Sequence, residues 1–130
     1  MPGPVIYVDT SDIRDGRLDE VREGIARLAA VVEREEPRLV SYAAFLDEGE
    51  GRMTVVHVHA DTASLAFHME VGGPLFAAFA DLVLLRTIDV YGTIAPEVHA
   101  ALEAKARLLG GARVRTHPLH AGFVRAPAAA

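Results

Sequence analysis

MTVVHVHA, residues 53–60, alternates along its length and decides how the chain is expected to fold. Successive side chains of a β-strand point to opposite sides of a sheet. One side of this strand is small and mostly apolar: Thr54, Val56, Val58 and Ala60. The other side carries Met53, Val55, His57 and His59. Two imidazoles on one side of an otherwise apolar strand predict a sheet with one face packed on helices and the other, carrying the histidines, lining a cavity.

Outward from this strand, apolar periodicity and turn residues predict the order β-α-β-β-α-β through Gly92. The predicted strands are 5–9, 39–46, 53–60 and 85–92, and residues 10–16 are predicted to form a loop. The predicted helices are 18 to about 36 and 63 to about 82, the second interrupted at Gly72-Gly73. This order is typical of a ferredoxin-like α+β fold with a four-stranded antiparallel sheet. Because two helices cover only one face, the other must meet water, a ligand or a partner subunit.

The segment after Gly92 extends this unit. A helix is predicted over 95–109, ended by Gly110-Gly111, followed by a short strand over 112–117, an irregular segment over 122–127 and a frayed tail. The segment is too small to bury a core of its own. We therefore expect one domain, 1–130, with a ferredoxin-like core over 1–92 and a helix-strand extension over 93–130. The extension is expected to reach over a partner or to cover an edge of the sheet.

Composition excludes several classes of protein. The chain has 130 residues, a formal net charge of -5 and no cysteine. Thinly spread basic residues disfavour binding to nucleic acid, and the lack of cysteine excludes disulfides and thiolate metal sites. The N-terminus lacks the pattern of a signal peptide, and no apolar stretch reaches the length that spans a membrane. The expected location is the cytoplasm.

Three segments carry a family resemblance. They are IRDGRLDEV at 13–21, EEPRLVSYAAFLDE at 35–48 and HADTASLAFHMEVGGPLFAAF at 59–79. In order and spacing they resemble the antibiotic biosynthesis monooxygenase-like family of the dimeric α+β barrel superfamily, with His68 on a histidine that recurs in the family. The chain departs from the family at Arg38, where a glycine is usual, at His57-Val58-His59, which replaces a glutamate-tryptophan pattern, and in the extension.

The resemblance implies an assembly and a set of activities. Members typically form homodimers whose exposed sheet faces pack together into a barrel. Some oxidise phenolic or quinol substrates with O2 and no cofactor, others degrade haem, and many have no known activity. The expected partners are accordingly a second copy of the chain and a small-molecule ligand, with no cofactor.

Strand alternation predicts which residues line the cavity. Ile6 and Val8 on strand one, and Ile88 and Val90 on strand four, suit the helix-facing side. The side chains that then face the cavity, together with the histidines, are Tyr7, Asp9, Asp89 and Tyr91. A slip of one residue would invert each assignment.

A histidine in such a cavity is suited to act as a general base, because its ordinary pKa lies near neutral pH. Removing a proton from a phenolic substrate makes the substrate electron-rich enough to react with O2. We predict His57, His59 or His68 as the base and Asp89 as the group that orients the ring. Tyr7 or Tyr91 would hold the substrate oxygen, and Met53 and Val55 would contact the substrate.

The histidine pair also has other interpretations. His57 and His59, with α-carbons about 7 Å apart on one face, have a spacing that can chelate a metal if Asp89 or His68 supplies a third ligand. Two hydrogen-bonded structural histidines explain the same pattern, and no metal site is predicted.

The sequence therefore predicts a cofactor-independent monooxygenase acting on a small aromatic or quinol-like substrate. The alternative is a non-catalytic dimer that binds a small ligand or serves a structural role. Haem binding or degradation, with His68 as an axial ligand, is a third possibility.

Overall fold

A five-stranded sheet with strand order β2-β3-β1-β4-β5 forms the frame of the computed structural model, which describes residues 3–123. The elements are β1 (Val5–Ile13), α1 (Leu18–Glu35), β2 (Leu39–Asp47), β3 (Arg52–His59), α2 (Thr62–Phe76), β4 (Val83–Tyr91), α3 (Pro96–Leu108) and β5 (Arg113–His117). Single 3-10 turns, Glu48–Glu50 and Ala77–Phe79, follow β2 and α2. The first four strands pair antiparallel, and β5 pairs parallel with β4. The predicted ferredoxin-like α+β order and the helix-strand extension are confirmed.

Strand β1 is longer than predicted. Residues 10–13, expected in a loop, continue the strand because Thr10 pairs with Thr54 and Asp12 with Arg52 across to β3. The backbone N–H of Ile13 also donates to the carbonyl oxygen of Gly51, over 2.7 Å. Polar composition therefore misled the prediction where the neighbouring strand supplies the pairing.

The two central strands, β1 and β3, turn the opposite faces to the helices from those predicted. The histidine side of β3 is buried beneath the helices, whereas Val56 and Val58 lie half-buried on the opposite, outer face. The same inversion applies to β1, where Ile6 and Val8 lie on the outer face. The side chains of β1 and β3 that face the helices are Val5, Tyr7, Asp9, Ser11, Met53, Val55, His57 and His59. Imidazoles tolerate this burial because they are hydrogen-bonded there.

On β4 the predicted faces are correct for Ile88 and Val90, which are buried under the helices. Asp89 stands opposite Val8, and Tyr91 stands opposite Ile6, so both point to the outer face. The prediction that Asp89 and Tyr91 share a face with the histidines is therefore wrong.

Helix α2 is not broken by Gly72-Gly73, contrary to the prediction. It runs on to Phe76 with Pro74 inside it. Gly72 is needed for packing, because a Cβ there would lie 2.6 Å from the ring of Phe76. The glycine thus makes room for an aromatic ring that closes the core.

The extension covers the β4 edge of the sheet, one of the two predicted placements. Helix α3 packs on the same face as α1 and α2, with Val98, Leu102, Ala106 and Leu109 buried. The predicted irregular segment 122–127 lies mostly outside the described residues, and the tail lies wholly outside them. Within residues 3–123, no helix combines the length and the apolar character needed to cross a membrane.

Candidate functional site

A small cavity of about 30 Å³ lies between the sheet and the helices. Its polar walls come from β1, β2, β3, α2 and α3, and are Asp9, Ser11, Tyr42, His57, His68 and Lys105. Its apolar walls include Met53, Val55, Phe76 and Phe79. The space suits a water-sized molecule. A cavity was predicted on the uncovered face of the sheet, but this cavity lies on the face that the helices cover.

The histidines of β3 form a hydrogen-bonded chain that leads away from the cavity. Nδ1 of His57 lies 2.5 Å from Nε2 of His59, and Nδ1 of His59 lies 2.8 Å from the hydroxyl oxygen of Ser64 on α2. Asp61 caps α2 by accepting a hydrogen bond from the backbone N–H of Ser64. That cap places the Ser64 hydroxyl against the second ring.

His68, one helical turn further along α2, makes a second polar contact. Its Nδ1 lies 2.9 Å from Oε2 and 3.1 Å from Oε1 of Glu36, the residue that follows α1. Both side chains are buried. The ring centroids of His57 and His68 are 4.6 Å apart, so the two polar contacts meet beside the cavity.

A third polar group joins β1 to the extension. The hydroxyl of Tyr7 donates to Oδ2 of Asp9 over 2.6 Å, and Nζ of Lys105 donates to the Tyr7 hydroxyl oxygen over 2.7 Å. Lys105 also lies 3.3 Å from Oδ2 of Asp9 and 4.1 Å from the centroid of the Phe76 ring. Tyr7 stacks on His57 with centroids 4.0 Å apart, so this group contacts the histidine chain.

Burial sets the protonation of the histidine pair. Desolvation, with His68, His59 and Lys105 adding repulsion, holds the pKa of His57 well below its ordinary value. Desolvation and His68 lower the pKa of His59 to about 3. Both imidazoles are therefore neutral at pH 7, and each carries one ring proton and one nitrogen lone pair that can accept a hydrogen bond.

The same burial acts on the other polar residues of the site. Desolvation raises the pKa of Tyr7 and of Tyr42, with Asp9 adding to both shifts. Desolvation lowers the pKa of Lys105, and the neighbouring Asp9 carboxylate opposes that shift. The ammonium of Lys105 therefore depends on Asp9 for its stability in the interior.

The structure brings six of the eight predicted site residues together. Met53, Val55, His57 and His68 line the cavity, and His59 and Tyr7 lie behind His57. Asp89 lies on the outer face and contacts Nε2 of His117 over 2.8 Å and Nε of Arg115 over 3.2 Å. Tyr91 stacks on His117 there.

Sequence reasoning missed Lys105, Glu36, Tyr42 and Ser64. A signal existed for Lys105, because it falls at helical spacing within the apolar row of Val98, Leu102 and Leu109. A charged residue at a core position of a helix indicates a buried partner. No comparable signal marks Glu36, whose place under His68 depends on the packing of α1 against α2.

The geometry does not suit a metal on the histidine pair. Nδ1 of His57 and Nε2 of His59 are hydrogen-bonded to each other, which leaves no room for an ion between them. No group of three potential ligands is arranged to hold a metal ion within residues 3–123. The space beside His68 is also far smaller than a porphyrin, so the residues do not fit haem.

Solved structures provide the comparison for this arrangement. MupZ from Pseudomonas fluorescens aligns with a TM-score of 0.73 and 15% identity over 95% of each chain. SnoaB from Streptomyces nogalater, a cofactor-independent oxygenase, aligns with a TM-score of 0.60 and 18% identity over 72% of this chain and 95% of its own. A Bacteroides thetaiotaomicron protein provisionally assigned as an antibiotic biosynthesis monooxygenase has a TM-score of 0.58 and 19% identity over 65% of this chain and 84% of its own.

These likenesses show that the chain has the fold of antibiotic biosynthesis monooxygenase-like proteins, as the resemblance implied. The sequence matches no protein-family profile and no curated protein. The alignment with MupZ covers 95% of this chain. The few residues left unmatched are fewer than those of the α3-β5 extension, so the alignment includes at least part of it. The likeness to MupZ therefore includes the element that carries Lys105.

Proposed function

We propose that the chain is a cofactor-independent oxygenase that removes a proton from a small phenolic or quinol-like substrate and lets the resulting anion react with O2. One observation carries the proposal: a neutral imidazole, His57, and a buried ammonium, Lys105, line the same apolar cavity. The first is suited to accept a proton and the second to stabilise the oxyanion that remains. The fold shared with the oxygenase SnoaB supports this chemistry.

The reaction balances without a further reagent. A phenol with a hydrogen on the para carbon loses its hydroxyl proton to Nε2 of His57. The anion adds O2 at that carbon, and the peroxide formed takes the proton back. Loss of the para hydrogen with the terminal oxygen then gives a quinone and one water. The substrate supplies all four electrons that reduce O2, one oxygen atom enters the product, and the other leaves as water.

Admission of a ring-sized substrate requires the cavity to open, because about 30 Å³ holds only a water-sized molecule. The end of α2 supports such an opening. Phe76 closes the cavity, and the turn that carries it contains Gly72, Gly73 and Pro74, which are poor helix formers.

Oxygen consumption tests the proposal, with 1-naphthol as the probe and 1,4-naphthoquinone as the expected product. The expected stoichiometry is one O2 per quinone with no free peroxide, and His57→Gln should lose roughly a hundredfold in rate. His120→Gln, at an exposed loop histidine, is the matched control. Failure of the wild-type protein to consume O2 with 1-naphthol would overturn the proposal.

A second candidate function is a non-catalytic ligand-binding or structural dimer. Every buried side-chain nitrogen and oxygen in residues 3–123 has a hydrogen-bond partner, which favours a polar network that stabilises the fold. Native mass spectrometry of freshly purified protein separates the two functions, when combined with the oxygen assay. A dimer that carries an organic adduct but shows no turnover supports this second function.

Homodimerisation is part of either proposal. The outer face of the sheet is apolar around Val8, Val56 and Val58, and Phe45 is 57% exposed beside them. Face-to-face packing of two such sheets would bury this surface. Asp89 and Tyr91 would then lie near the dimer interface.

A further inference from the structure

We infer that His57, His59 and Ser64 form a proton relay that connects the cavity with a surface groove between α1 and α2. The inference rests on the proposed function for its role in turnover, although the relay is a property of the folded chain itself. His59 and Ser64 act in it as positioning residues, since only His57 lines the cavity.

The groove at the far end of the relay is large and open. It occupies about 610 Å³ between the end of α1 and the first turns of α2. Its walls are residues 35–39 together with Ala63, Ser64, Ala66, Phe67 and Glu70. Arg38 pairs with Asp61 close to the Ser64 end. Ser64 therefore contacts His59 and is also one of the residues that line the groove.

The hydrogen bonds of the relay couple the tautomers of its two rings. If Nδ1–H of His57 donates to Nε2 of His59, then His59 carries its proton on Nδ1 and donates to Ser64. If Nε2–H of His59 donates to His57, then Ser64 donates to His59, and His57 carries its proton on Nε2. Both rings thus always have the same tautomer. The first arrangement converts into the second when Nε2 of His57 takes up a proton and Ser64 releases one.

The first arrangement is ready to accept a proton from the cavity. Nδ1 of His57 carries the ring proton and donates it to His59, so the lone pair of that ring lies on Nε2. When Nε2 takes a proton, Nδ1–H passes to Nε2 of His59, Nδ1–H of His59 passes to Ser64, and the Ser64 hydroxyl proton passes to water in the groove. The reverse sequence returns a proton to the peroxide later in the turnover and restores the first arrangement.

Burial explains why a relay is needed. The interior strongly disfavours an imidazolium at His57, where His59, His68 and Lys105 surround the ring. A single buried histidine would be a poor store for the proton of the substrate. In the relay, each ring releases one proton as it receives another. Neither imidazole therefore becomes positively charged in the interior.

The His68–Glu36 pair is the competing route. Glu36 also borders the groove, and His68 also lines the cavity. That route has only one ring between the cavity and the carboxylate. Nδ1 of His68 contacts both carboxylate oxygens of Glu36. The relay through Ser64 is favoured because it aligns successive donors and acceptors from the cavity wall to the groove.

Nitrogen-15 NMR of the histidine rings tests the relay without substrate. The expected result is two neutral rings, His57 and His59, with matching tautomers, and a shifted tautomer population for both in Ser64→Ala. Ser64→Thr, which keeps a hydroxyl, should restore the wild-type pattern. Ser41→Ala, which removes the hydroxyl of an exposed serine on β2, should leave it unchanged. Opposite tautomers on the two rings would overturn the relay whether or not the protein is an oxygenase.

Turnover in mixtures of H2O and D2O tests its role. A plot of the wild-type rate against the deuterium fraction should be curved, because more than one proton moves in the same step. The same plot for Ser64→Ala should be linear, and kcat of this variant should be lower by roughly tenfold at similar KM. An active enzyme whose Ser64→Ala variant keeps the curve would refute the relay and leave the proposed function intact. If the curvature is lost in Glu36→Gln but kept in Ser64→Ala, the proton leaves through His68 and Glu36, and the relay through Ser64 is refuted.

If the protein is inactive while both rings share one tautomer that Ser64 controls, the proposed function is wrong and the relay stands as a property of the fold.

Discussion

Nζ of Lys105 lies 2.7 Å from the hydroxyl oxygen of Tyr7, a residue 98 positions earlier in the chain. The contact joins the extension to the central strand of the sheet, and Asp9 completes it from the same strand. A buried ammonium, a carboxylate and a phenol therefore form one electrostatic group whose members come from opposite ends of the sequence.

Removing one charge of this group should destabilise the fold more than removing both. Lys105→Met leaves Asp9 buried without its cation, so we expect the free energy of unfolding to fall by about 3 kcal/mol. The double variant Asp9→Asn/Lys105→Met should recover most of that loss. Urea denaturation measures both, with Arg107→Met on the exposed side of α3 as the control. Losses that simply add in the double variant would show that the two charges are not coupled.

Acid should destabilise the protein through the two buried histidines of β3. Their folded-state pKa values are lowered, to about 3 for His59, so the unfolded chain binds more protons below the ordinary value of 6.5. The stabilisation is fully present above pH 6.5 and is lost as the pH falls toward 3, with a slope approaching about 1.4 kcal/mol per pH unit for each histidine. Denaturation midpoints between pH 7 and 4 should show a shallower slope in His57→Gln/His59→Gln than in the wild type. Equal slopes in the two proteins would contradict the assigned protonation.

The last turn of α2 should open more readily than the rest of the helix. Pro74 has no N–H to donate within the helix, and it precedes Phe76 at the cavity wall. Pro74→Ala restores that donor, so amide hydrogen exchange over residues 75–79 should slow, while exchange over 64–70 should stay the same. Unchanged exchange over 75–79 would indicate that the cavity does not open at this turn of α2.

The junction between core and extension depends on Gly92. Its φ is +131°, and a Cβ there would lie 2.9 Å from the backbone carbonyl oxygen of Pro4. Gly111 also has positive φ, but nothing lies within 4 Å of its Cβ position. Gly111→Ala should therefore cost roughly 1–2 kcal/mol of strain, and Gly92→Ala distinctly more. Thermal unfolding of the two variants makes the comparison, and equal losses would argue against a steric role for Gly92.

The outer face of the sheet should control oligomeric state. Val56→Asp places a charge in the middle of that face without touching the core, so a folded monomer is expected where the wild type is a dimer. Light scattering after size-exclusion chromatography measures the mass. Leu108→Asp, at a residue that is 48% exposed on α3, is the control. A wild-type monomer at micromolar concentration would rule out the proposed homodimer.

The element order could be predicted from sequence because local patterns determine it. Alternation on β3, the apolar row of α1 and the glycines after Leu109 each specify an element with little help from the rest of the chain. The pairing of β5 with β4 was open, because a short strand has no local preference for its neighbour.

The faces of the central strands could not be predicted, because hydrophobicity was a poor guide to burial there. His57 and His59 are more polar than Val56 and Val58, yet they are the buried pair. What reverses the expectation is the hydrogen bond between the two rings and the one between His59 and Ser64, a residue supplied by another element. A polar residue is buried where its hydrogen bonds are met, and that condition is tertiary.

The placement of Lys105 on the extension also has an evolutionary consequence. A shortened descendant that lost residues 93–117 would retain four strands and two helices, but it would inherit an acidic side chain at Asp9 with its neutralising neighbour deleted. Such a deletion would be tolerated only in a lineage that had already replaced Asp9. Asp9 and the α3-β5 segment are therefore expected to be retained or lost together in descendants of this chain.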